Sequence, residues 1–145
     1  MLKLSTKGRY GLRAMIDLAM AYTEQPQPIM MADIAKRQEL SRKYLHALLT
    51  PLKNAGLVRS TRGAKGGYFL AKPPEEITVG VILVALEGEL NIVDCLEETA
   101  DCPRASQCLA RRIWQNLNEA ILEQLDNITL KNLVCNGTIP KEILS

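Results

Sequence analysis

Apolar positions recurring at three- and four-residue spacing mark most of the chain as helical. Ser5 opens the first run, with Leu12, Met15, Ile16, Ala19 and Met20 on one stripe, and Gln25-Pro26-Gln27-Pro28 stops it, which predicts a helix over about residues 5–22. A short helix over residues 31–37 carries Ile34 and Ala35, and Glu39-Leu40 makes a tight connection to Ser41, a good N-cap. From there Leu45, Leu48, Leu49 and Leu52 fall at i, i+3, i+4 and i+7, one stripe of an amphipathic helix, leaving Arg42, Lys43, His46 and Lys53 on or near the opposite face. Pro51 removes a backbone hydrogen bond, so a kink is expected, or a restart with Thr50 as cap. Gly56 ends the helix.

The period then changes. Leu57-Val58-Arg59-Ser60 and Tyr68-Phe69-Leu70-Ala71 read as two short strands around residues 61–67, whose three glycines and two basic residues form a flexible cationic tip. Pro73-Pro74 is the clearest boundary, and it separates residues 1–74 from a second region, 75–145. There Thr78 caps a third apolar helix ending near Gly88, and a cysteine- and acid-rich loop covers about residues 91–107. Leu109, Ile113, Trp114, Leu117, Ile121 and Leu125 trace a long helix whose apolar surface suits pairing with a copy of itself, the alternative being a fold back onto its own core. Thr129 caps a last short helix.

The 145 residues suit one main domain with an appendage, and 47% apolar content is enough for a core. Only 4% are aromatic, so that core is aliphatic and the class mostly α. Lys3, Lys7, Arg9, Arg13 and Asp17 interrupt the first apolar positions, and the most apolar stretch, 79–86, is too short to span a bilayer, so no membrane association and a cytoplasmic address are expected. Charge alters the picture more. Residues 1–72 hold 13 Lys and Arg against 4 Asp and Glu, a net of +9, whereas residues 73–145 hold 5 against 12, a net of −7. A polyanion partner is implied for the front half alone.

Helix, short helix, turn, amphipathic helix and glycine-rich basic hairpin follow one another in the order of a winged helix-turn-helix with a two-stranded wing. Arg42, Lys43 and His46 occupy the first turns of the third helix, the end that approaches base edges in such folds. Arg62 suits a narrow minor groove, and the glycines beside Lys65 let the backbone approach the sugar-phosphate wall. Double-stranded DNA is the expected partner, with Ser41, Arg42, Lys43, Tyr44, His46, Arg62 and Lys65 as candidate contacts.

The runs 4–13 (LSTKGRYGLR), 44–58, and 62–68 (RGAKGGY) together resemble the Rrf2 family of bacterial transcriptional regulators, over nearly the whole chain to about Val134. The resemblance implies a homodimer on a pseudo-palindromic operator, with the long C-terminal helix as its dimerisation element. His46 stands where the iron-sulfur-sensing pattern of the family carries Glu, so the preferred operator is expected to differ.

Cys95, Cys102 and Cys108 are separated by six and five intervening residues in their loop, without the CxxC pairs of zinc sites or a ferredoxin run. Taken alone, that spacing suits an iron-sulfur cluster, zinc, redox-sensing thiols or inert cysteines. The resemblance favours a cluster, 2Fe-2S or related, on these three cysteines. Two positions depart from the family pattern: the first gap is one residue longer, and Arg111 replaces a His found in some members. The fourth ligand stays open among Asp94, Glu97, Glu98, Asp101, Cys135 and a group from the partner subunit. Other family members regulate cysteine metabolism without a cluster, which is the alternative reading. An electron carrier or redox enzyme is disfavoured, because four close ligands and a nucleophile-base pair are both missing.

Overall fold

The computed structural model describes residues 3–22, 27–97 and 100–135. Helices α1 (Thr6–Met20), α2 (Met31–Gln38) and α3 (Arg42–Asn54) precede strands β1 (Val58–Thr61) and β2 (Gly67–Leu70), and α4 (Val79–Glu87), α5 (Leu109–Asp126) and α6 (Leu130–Cys135) follow. Short 3-10 turns at Pro74–Glu76 and Asp94–Leu96 flank α4. Of the stretch expected to end α1, Gln25 and Pro26 lie outside the described residues.

The stripes read from the sequence are the buried faces. Met15 and Leu18 of α1, Ile34 of α2 and Leu45, Leu48, Leu49 and Leu52 of α3 close one aliphatic core. That core continues past Pro73, since Ile77, Ile82, Leu86 and Leu130 belong to it. A smaller cluster of Val79, Leu83 and Leu90 packs against Leu122 and Leu125, fixing one face of α5 to α4. Helix α3 runs unbroken through Pro51, with no restart at Thr50.

Side chains far apart in sequence set the angle between α1 and its neighbours. Glu87, at the end of α4, accepts hydrogen bonds from Ser5 N at 3.1 Å, Ser5 Oγ at 2.6 Å and Gly8 N at 3.0 Å. A carboxylate therefore caps the positive N-terminal end of α1. A Cβ at Gly8 would overlap that carboxylate, so only glycine permits this approach.

Asp17 on α1, only 7% exposed, holds α2 by accepting from Arg37 Nε at 2.9 Å, Arg37 Nη2 at 2.7 Å and Gln38 Nε2 at 2.9 Å. Burial pushes its carboxyl up, but the hydrogen bonds from Arg37 and Gln38 and the Arg37 charge outweigh burial and leave its pKa below the ordinary value. Stability from a lowered carboxylate pKa is complete above the unfolded value of about 3.9 and is lost as pH falls through the folded value. Asp17→Asn should therefore cost about 1–3 kcal/mol near neutral pH and weaken the loss of stability in acid. Urea midpoints near neutrality and near pH 3 check this, and an unchanged acid response would assign it to other carboxylates.

Candidate nucleic-acid interface and cysteine loop

Three residues separate α2 from α3. Leu40 N donates to Ala35 O at 2.9 Å, and Glu39 takes the left-handed conformation with φ 55°, closing α2 with the geometry usually given to glycine. Ser41 then caps α3, its Oγ accepting from Tyr44 N at 3.1 Å. With the leucine stripe inward, Arg42, Lys43, His46, Ala47, Thr50 and Lys53 are all exposed. At about 100° per residue they share one face of α3. Ala47 and Thr50 were not singled out from sequence, although their spacing from Lys43 and His46 was the available signal.

Tyr44 is placed differently from its charged neighbours. It is half-buried, its ring stands edge-on to Tyr10 at 6.2 Å, and its hydroxyl donates to Thr6 Oγ1 at 3.3 Å. The Arg13 guanidinium lies 5.2 Å from the centre of the Tyr10 ring, which extends the contact along α1. Docking α3 onto α1 is therefore what the Tyr44 ring does here.

The wing is antiparallel, with Val58 opposite Leu70 and Thr61 opposite Gly67, so β1 and β2 lie one residue later and earlier, respectively, than the patterns suggested. Its sheet gains a third element that sequence did not reveal: Ile29 and Tyr68 exchange backbone hydrogen bonds of 2.8 Å in both directions. Gly67 makes this possible, because a Cβ there would overlap the Ile29 carbonyl. Beyond the sheet, Arg62 and Lys65 are exposed at the tip. Lys53 Nζ donates to Ser60 Oγ at 2.8 Å, tying the end of α3 to β1.

In the second region Cys95 and Cys108 are half-buried and Cys102 is exposed, all as free thiols. Cys108 immediately precedes α5, and Arg111 Nε donates to the Cys95 carbonyl at 3.4 Å, linking the two ends of the loop. Among the described residues, no three His, Cys, Asp or Glu side chains are gathered closely enough to hold a metal ion. Glu98 lies outside the described residues. Along α5, Leu109, Ile113, Trp114 and Leu117 are 74, 56, 38 and 48% exposed. No described helix is long and apolar enough to cross a membrane.

A polar, cationic helix face beside a two-stranded basic hairpin defines a winged-helix DNA-binding protein. Residues 4–136 match the Rrf2 family of iron-dependent transcriptional regulators, and the chain belongs to that family. It is 43% identical to protein Rrf2 of Nitratidesulfovibrio vulgaris over 95% of this chain and 91% of that one. It is also 39% identical to the regulator IscR of Pectobacterium atrosepticum over 99% of this chain and 84% of the relative. Among solved structures, the fold is similar to CymR, the global cysteine regulator of Bacillus subtilis, with a TM-score of 0.76, 45% identity and coverage of 93% and 98% of the two chains. The IscR of T. potens gives 0.74 at 41% identity, covering 94% of this chain and 89% of that one. These relatives are transcriptional regulators, and the mostly helical winged architecture is shared with them.

Proposed function

We propose that this chain is a cytosolic homodimeric regulator that binds an operator through α3 and the wing, and whose affinity depends on an iron-sulfur cluster held by Cys95, Cys102 and Cys108. On the DNA side, Arg42, Lys43 and His46 meet base edges and phosphates, the Ser41 hydroxyl donates to a phosphate, and Arg62 and Lys65 grip the adjacent backbone and minor groove. Tyr44 contributes by holding α3 against α1, with its hydroxyl at the rim of the interface. The observation that carries this part is the single exposed face formed by Arg42, Lys43, His46 and Lys53 over a wholly buried leucine stripe.

On the sensing side, three thiols are the soft donors that iron-sulfur clusters take, and their loop leads directly into α5. The described loop's backbone-to-backbone bonds are local, among them Ala105 N to Cys102 O at 3.1 Å and Gln107 N to Arg104 O at 3.0 Å, and its ties to α5 run through the side chains of Arg111 and Asn118. A bound cluster, 2Fe-2S by family resemblance, would supply redox state and lability as the signal. The chain's part is to convert loop shape into the position of α5, and through α4 and Glu87 into the setting of α1. Such coupling is typically 1–3 kcal/mol, or roughly 5- to 150-fold in affinity. Cys108→Ala should abolish that difference between loaded and cluster-free protein, measured as operator affinity under anaerobic conditions. Equal affinity and equal operator choice for the variant and the loaded wild type would defeat the proposal.

A second reading is favoured by the separation of the thiols and the likeness to CymR: a cluster-free regulator answering to cysteine supply or thiol oxidation. Visible absorption after anaerobic purification separates the two, since only the first gives a coloured protein.

A further inference from the structure

Asn118 of α5 is buried, 8% exposed, and its surroundings dictate which way its amide faces. Its Oδ1 accepts from the backbone N–H of Ile92 at 2.9 Å, so its Nδ2 turns to the other side and donates to Asn91 Oδ1 at 3.2 Å. The second bond fixes Asn91 as well, because reversing that amide would set one NH2 group against another. Asn91 Nδ2 is consequently a buried donor with no partner. Such a group is costly unless an acceptor reaches it.

Both asparagines line a cleft of about 170 Å³ shared with Leu96, Arg111, Gln115 and Glu119. Arg111 gives its Nε to the Cys95 carbonyl, and the outer edge of its guanidinium carries further N–H donors. A guanidinium edge and a lone amide donor together suit a carboxylate. Glu119 on the same rim disfavours a bare anion and suits a cation.

We infer that this cleft binds a small zwitterion of the α-amino-acid type, its carboxylate facing Arg111 and Asn91 and its ammonium facing Glu119. The site is independent of the cluster assignment. At about 100° per residue, Arg111, Gln115, Asn118 and Glu119 lie on a different face of α5 from Leu109, Ile113 and Leu117, so a second copy seated on the apolar stripe leaves the cleft open. Because Arg111 also holds the carbonyl of Cys95, occupancy bears directly on the cysteine loop.

Trp114, the single tryptophan, lies within one helical turn of Arg111 and reports binding by fluorescence. Titration of the anaerobically isolated full chain with glycine and with L-serine should give a saturable change in the millimolar range or below. Acetate, lacking the ammonium, should bind at least about tenfold more weakly. Arg111→Gln should abolish saturation with unchanged helical circular dichroism, and Glu119→Gln should weaken the amino acids while sparing acetate. No saturable response from the wild type, equal binding of acetate, or unaltered binding by Arg111→Gln would each overturn the inference and leave only water in the cleft. None of those results would touch operator binding, which is measured separately.

Discussion

Alanine at both Arg62 and Lys65 should lower operator affinity by roughly 30-fold or more, since each such contact is typically worth about 1–3 kcal/mol. Both side chains are exposed at the wing tip and lie outside the core that holds the wing in place. The sheet beneath them is held by the β1–β2 ladder and the Ile29–Tyr68 bridge, neither of which uses a side chain from the tip. Loss of affinity can therefore be read without loss of fold, with circular dichroism as the control. Lys65, as a phosphate contact, should weaken all sequences alike and shrink the salt slope by about one. Arg62, placed in a narrow minor groove, should also relax preference for A·T-rich flanks. Affinity measured against salt for operator and unrelated duplexes separates the two contributions. A double variant matching the wild type at every salt concentration would remove the wing from the interface.

The helices and the exposed cationic face of α3 were legible because burial and periodicity are local: once Leu45, Leu48, Leu49 and Leu52 point inward, the position of Arg42, Lys43 and His46 follows from helical geometry. What ties the elements together was not legible. Glu87 reaches Gly8 from 79 positions away, and Ile29 joins the wing across the chain, so neither contact leaves a mark in its own neighbourhood. Tyr44 sits among the candidate DNA contacts in sequence, yet its ring turns to Tyr10, because half-buried aromatic surface outweighs position in the helix. In the cysteine loop no period constrains the backbone, and spacing alone did not say that the Cys95 carbonyl would be held by Arg111 of α5. The long helix was read as one apolar stripe, whereas Leu125 belongs with Leu122 on the face packed against α4. Only the Leu109–Ile113–Leu117 edge and Trp114 remain uncovered.

That division makes α5 the place where the largest effect is expected. Asp at both Ile113 and Leu117 should convert the proposed dimer into a folded monomer and lower affinity for a two-site operator by roughly 10²-fold or more. These side chains are 56 and 48% exposed in the single chain, so charge there does not enter its core. Between two copies the same residues would be buried twice by symmetry, and since each is already half covered, each would contribute about 1 kcal/mol of further apolar burial. Four carboxylates brought together in that setting would replace the attraction with desolvation and like-charge repulsion. Operator affinity follows because two linked heads bind the second half-site at high effective concentration, an advantage a monomer lacks. Light scattering gives the oligomeric state, and titrations of single and paired half-sites give the affinities. Single half-site binding should stay near the wild-type value per head while paired-site binding collapses towards it. A variant that remains dimeric would move the interface off this edge of α5, and a monomer that still bound paired sites at full strength would show that the two heads act independently.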